Sequence, residues 1–106
     1  MLNTVVEKPS LSAADSAEIT LEASLEIADV TEARRRLLDA LGGVRRCAID
    51  VRPLTAVDTA GVQLLLAVAQ ECKRRGIELS CRGESPPLTL ALRSLGLAGA
   101  LERGGR

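Results

Sequence analysis

Residues 57–66 read VDTAGVQLLL, and the Asp-Thr-Ala-Gly portion is where this chain concentrates groups that could do chemistry. A hydroxyl beside a carboxylate, as in Thr59 next to Asp58, can accept a phosphoryl group. The same residues also suit the start of a helix. Asp58 is a good N-cap, its carboxylate accepting the backbone N–H of residue 60 or 61, which contributes about 0.5–2 kcal/mol. Gly61 is not explained that way, because glycine within a helix costs about 1 kcal/mol relative to alanine. A bare backbone is needed there, either for tight packing against a neighbouring element or for close approach by a partner. At the first helical position the Thr59 hydroxyl faces outward, free to be modified.

Most other chemistries are excluded by composition. The chain has no His, which removes the usual acid/base group at neutral pH and the commonest transition-metal ligand. It has no Phe, Trp or Tyr, so neither base stacking nor an aromatic cage can be built. Lys+Arg and Asp+Glu are 14 each, leaving no net field to draw nucleic acid or an anionic membrane. The run Arg34-Arg35-Arg36 reads as a solvated helix face, not as a phosphate patch. Cys47, Cys72 and Cys81 form no C-x-x-C pair and read as small buried hydrophobes suited to a reducing compartment. Neither G-x-G-x-x-G nor a Walker A sequence is present, and no clustered pair of acid and base stands out. The expectation is a non-enzymatic protein with no cofactor and no metal.

The elements that must position Thr59 follow from periodicity. Length gives one domain with an aliphatic core. Residues 1–16 read as a tail, with Leu2–Val6 as a short edge strand at most, and 103–106 as a second tail around a domain at 17–102. Ala17–Ala23 alternates Ile19, Leu21 and Ala23 with Glu18, Thr20 and Glu22, the period of a half-buried strand. Asp29 with Glu32 resembles a capping box, followed by a helix with Val30, Ala33, Leu37 and Leu41 on one face and Gly42-Gly43 as its stop. Arg45–Val51 is apolar on both faces, as in a central strand of a covered sheet. A helix is predicted from Thr59 to Arg75, stopped by Gly76, then a strand over Ile77–Cys81. The turn with Pro86-Pro87 leads to helices over Leu88–Leu95 and Leu97–Leu101.

This is the alternation of an α/β fold with its last three strands parallel. Partners of such sheets gather beyond the carboxyl ends of the strands, where the Asp58–Thr59 loop lies. Within the helix, Gly61, Leu65, Val68 and Cys72 form the stripe facing the sheet, and Gln63, Gln70 and Arg74 the solvated one. Val62 and Leu66 fall between, either as boundary residues or as an apolar edge beside the hydroxyl. The N-terminus lacks the pattern of a signal peptide, and no apolar run reaches membrane-spanning length, so the expected location is cytoplasmic.

DTAGVQLLLA, preceded by CAIDV and followed by a Gly-stopped helix and IELSCRG, resembles the STAS domain of anti-sigma-factor antagonists over about residues 18–101. ITLEASLEIADVTEARRRL is similar to the family's second strand, loop and first helix, with Ala23 where a Gly is usual. The resemblance implies an α/β fold with a central mixed, mostly parallel sheet of about four strands and about four helices. It implies a switch module in bacterial signalling, of sigma-factor or chemotaxis type. Thr59 would be the phosphoacceptor, with Asp58, Ala60, Gly61, Val62 and Leu66 binding the partner. Asp50, at the end of the central strand, would be a structural or nucleotide-adjacent carboxylate. The partner implied is a kinase of the histidine-kinase-like (GHKL) ATPase fold, opposed by a phosphatase. Thr replaces the commoner Ser, and Thr-bearing relatives include the cytoplasmic STAS subunit of a phospholipid ABC transporter, which docks on the ATPase. That is the alternative reading, with nucleotide binding at the sheet end as a third.

Overall fold

A computed structural model describes residues 15–101. Leu2–Val6 and 103–106 therefore lie outside the described residues. The elements run β1 (Ser16–Thr20), β2 (Ser24–Leu25), α1 (Val30–Ala40), β3 (Arg46–Asp50), β4 (Ala56–Val57), α2 (Thr59–Arg75), β5 (Glu78–Arg82) and α3 (Pro86–Ser94). The fold is the α/β type expected.

The main sheet has the order β1-β3-β5, all parallel, and β3 is central as its sequence predicts. Alternation sorts its side chains between two faces. Ala17, Ile19, Cys47, Ile49, Leu79 and Cys81 join the core under the helices. The other face carries Glu18, Ala48 and Ser80 in one row and Thr20, Asp50 and Arg82 in the next. Among the described residues helices cover one face only, which corrects the expectation of a sheet covered on both. Ala48 owes its apolar character to small size in a polar row, with Glu18 and Arg82 joined above it at 2.6 Å.

Past the main sheet, two strands continue together. β2 pairs β4 in a second parallel ladder, Ser24 opposite Ala56 and Leu25 opposite Val57. Three residues, 21–23, separate β1 from β2, whereas five, 51–55, separate β3 from β4. The surplus forms a turn closed by Leu54 N–H donating to the Val51 carbonyl at 3.0 Å. This turn carries Arg52 back over the end of β3. The Ala23 carbonyl accepts from the Thr55 and Ala56 backbone N–H groups and the Thr55 hydroxyl, tying the two paths together.

Helix α2 is the scaffold of the site. Gly61, Leu65, Val68 and Cys72 are buried, and Gln63, Gln70 and Arg74 exposed, as the predicted stripes require. Gly76 ends it at φ 74°, its N–H bonded to the last carbonyls. The basic residues Lys73, Arg74 and Arg75 sit at its negative end. Helix α1 packs along the Leu64 side of α2, and β5 and α3 also contact α2. Ser85 caps α3, accepting from Leu88 N–H and donating to the Leu54 carbonyl at 2.8 Å while almost fully buried. The segment Leu97–Leu101 is a series of turns, not the expected helix, because Gly96 and Gly99 take φ of 73° and 85°. Leu101 nevertheless reaches the core.

Cys47 and Cys72 are buried, as expected of small hydrophobes, and burial pushes the Cys47 thiol up to about 11. Among the described residues no helix is long and apolar enough to cross a membrane. Nor do any three potential metal ligands among them gather into a site.

Candidate functional site

Asp58 stands outside the first turn of α2 in extended conformation, and its carboxylate works in two directions. Oδ1 accepts from Gly61 N–H at 3.0 Å, closing the N-cap. Oδ2 accepts from Ile27 N–H at 2.9 Å, in the loop between β2 and α1. One side chain thus fixes two loops that are 31 residues apart. The expected cap is present, and the second bond is the part that local sequence could not supply.

The β2–α1 loop is held from its other end by Asp29. Its Oδ2 accepts from the Ser24 hydroxyl at 2.7 Å and from Glu26 N–H at 2.9 Å. Those bonds hold its carboxyl below the ordinary range, the Glu26 N–H contributing most and the Ser24 hydroxyl next. Asp29 makes no side-chain cap of α1, and Glu32 pairs with Arg35 instead. The capping-box reading is therefore corrected: the carboxylate that would have capped α1 closes the turn before it. A carboxylate bonded back to the N–H three residues before it is drawn away from capping the helix that follows.

Gly61 is resolved by the same junction. A Cβ on it would lie 2.1 Å from the Leu25 carbonyl oxygen and 2.9 Å from Val57 Cγ2. Of the two reasons open from sequence, packing against a neighbouring element is the one realised. The start of α2 presses on the β2 backbone, and Gly61 is buried there.

Thr59 follows the cap and is exposed, with Ala60 half-buried beside it. Val62 is 0% exposed and packs into the core, so it is removed from the expected partner-binding set. The sequence places it on the flank of the sheet-facing stripe, but α2 is packed on more than its sheet side. Leu66 is half-buried against the core. It lies two turns along from Thr59, about 10 Å down the axis. Ile27, missed in the sequence, is 70% exposed at the rim shared with Thr59. Its only sequence signal is a large apolar residue in a polar loop, with no periodicity to say which way it points.

Asp50 belongs to a different arrangement at the end of β3. Its carboxylate accepts from Arg52 N–H at 3.0 Å and from the guanidinium at 2.9 and 2.7 Å. Arg52 thereby holds the carboxyl down to about 2. The guanidinium stem lies over Gly83, where a Cβ would meet Arg52 Cγ at 2.0 Å. Asp50 is 6% exposed and its bonds are satisfied within the chain.

A family model described as "Mlab, STAS domain" matches residues 11–103. The chain belongs to the STAS family. Two solved structures share the fold of this STAS domain. One is a sulfate transporter family protein from Wolinella succinogenes, with TM-score 0.69 and 19% identity over 92% of this chain and 77% of that one. The other is the SulP transporter STAS domain from Vibrio cholerae, with TM-score 0.62 and 17% identity over 93% and 74%. No curated protein matches the sequence significantly. STAS domains are interaction and regulatory modules, typically without catalysis, and the match indicates no enzymatic family.

Proposed function

We propose that this STAS domain is a regulatory module that docks a protein partner through the rim at the start of α2, and that phosphorylation of Thr59 by a partner kinase switches the docking. One observation carries the proposal: the hydroxyl stands exposed on a rigid junction whose neighbouring carboxylate is already committed to two backbone donors. A phosphate on Thr59 adds about −1.5 to −2 charge at a helix N-terminus, which tolerates anions. Asp58 opposes it at close range, and neither effect demands rearrangement of the core. Modification then blocks close docking and leaves the fold intact. The GHKL-type kinase and the anti-sigma-factor pathway follow from the resemblance of the DTAG loop and rest on it.

Incubation with the cognate kinase and ATP, followed by intact-mass measurement, tests this reading. The expected result is a single phosphoryl gain that Thr59→Ala abolishes. No gain in the unaltered protein, or an equal gain in the variant, would sink the assignment.

A second reading draws on the description of the matched family model, and only loosely on the sulfate-transporter STAS domains that share the fold. In it the same rim docks on the ATPase of a phospholipid ABC transporter, and Thr59 contributes contact without being modified. Finding permease and ATPase genes beside this one would support it, whereas a neighbouring kinase or phosphatase gene would support the first.

A further inference from the structure

We propose that Ile27 is the apolar anchor of the docking rim, and that the partner receives it in an apolar pocket ringed by Lys and Arg. This rests on the reading of the Thr59 rim as the docking surface and names the chemistry of what docks there.

Three observations carry it. Ile27 is the most exposed of the large apolar residues, at 70% against 61% for Leu90 and 44% for Leu95. Single exposed leucines are ordinary on protein surfaces. Ile27 differs because its loop is rigidly held: Asp58 accepts its own N–H and Asp29 accepts that of Glu26. A β-branched side chain on a fixed backbone loses little entropy on binding, which is what makes an anchor efficient.

The second observation is position. The bond from Ile27 to Asp58 places the isoleucine beside the first turn of α2, next to exposed Thr59. The third is charge. Across residues 26–31 and 58–63 the charged groups are Glu26, Asp29 and Asp58, and none is cationic. Of the arginines along α1, Arg35 pairs with Glu32 and Asp39 and Arg36 with Glu22, while exposed Arg34 lines the groove with Leu64, Ala67 and Glu71 further along α2. An apolar anchor within an acidic ring fits a pocket with basic edges, and like charge there would repel. A phosphate on Thr59 would be attracted to such edges, so modification blocks docking by bulk, holding Ile27 out of its pocket.

The test replaces Ile27 with a photo-cross-linking amino acid in the full chain, in cells of its source, with the same replacement at Leu90 as control. Thr59 phosphorylation is followed by mass in the same cells. The expected result is a cross-link to another protein from position 27 but not 90, mapped to a peptide with apolar residues flanked by Lys or Arg. In extracts the yield should fall several-fold between about 0.1 and 1 M salt, as the Debye length shortens from about 10 to 3 Å. A cross-link mapped to an acidic or uncharged peptide, to a second copy of this chain or to lipid overturns the proposal. So does equal labelling from position 90, or a yield indifferent to salt. Where Thr59 is found phosphorylated in part of the protein, absence of a cross-link from 27 in the unphosphorylated remainder overturns this inference alone. The expected cross-link with Thr59 unmodified supports it and removes the kinase switch.

Discussion

Asp50 is the last residue of β3 and Asp58 follows directly on β4, both strands of parallel ladders, and they do opposite things. Asp50 is closed on itself: Arg52, two residues on, folds back and saturates it, so the end of β3 offers a partner little beyond a neutralised pair. Asp58 is closed on the backbone: it accepts one N–H from the first turn of α2 and one from the β2–α1 loop, and leaves the adjacent hydroxyl and an isoleucine exposed. The lesson is that a carboxylate paired with a side chain ends a surface, while one paired with main chain can build a surface. The two extra residues between β3 and β4 make the first case, and the contact of β2 with α2 makes the second.

Mutation can break this contrast, most severely at the contact of β2 with α2. Gly61→Ala puts a methyl against the Leu25 carbonyl, which backbone cannot easily vacate. It should destabilise the domain by about 2–3 kcal/mol in urea unfolding, overpacking outweighing the gain in helix propensity. An unchanged midpoint would mean that α2 does not rest on β2 as described. Asp58→Ala should cost about 1–2 kcal/mol, from the cap and the orphaned Ile27 N–H together. It should also speed amide exchange at Ile27, which loss of the cap alone would leave protected.

Acid probes the other carboxylate. Asp50 is held to about 2 against an ordinary 3.8, so folding favours its ionised form. Its contribution is fully present above about pH 4 and is lost as pH falls through about 2. The stability difference between the natural protein and Asp50→Asn should therefore be constant above pH 4 and shrink below it. Glu71 is also held to about 2, by Arg74 first and then Arg75, but it is common to both proteins and cancels. A difference that persisted unchanged at pH 2 would show that the Arg52 pair is not its source. The smallest effect is expected at Thr59, where Thr59→Glu should leave far-ultraviolet circular dichroism intact and stability within about 0.5 kcal/mol. Gross loss of structure would contradict a switch that acts at the surface.

Much of the site was legible because it is encoded locally. Asp58 as a cap, α2 with its buried stripe, and the anomaly of Gly61 all follow from neighbours within one helical turn. Val62 was misplaced because a single-faced stripe assumes one packing partner, whereas α2 meets the sheet and two other helices. Asp29 was misread because capping and turn closure use the same carboxylate, and sequence does not rank them. Ile27 was missed because a loop has no period from which exposure can be read.

The sequence alone did not reveal the short strands β2 and β4. It did determine the order of the three main strands and of the three helices, the central place of β3, the N-cap at Asp58 and the need for a bare backbone at Gly61. These depend on propensity, periodicity and neighbours in the chain. Only the tertiary structure decided that Gly61 serves the Leu25 carbonyl, that Asp58 also holds Ile27, and that Asp50 is spent on Arg52. Two of these contacts join residues more than thirty positions apart, and the third needs a turn whose path is set by a neighbouring strand. Such distances close only when the sheet has brought the chain together.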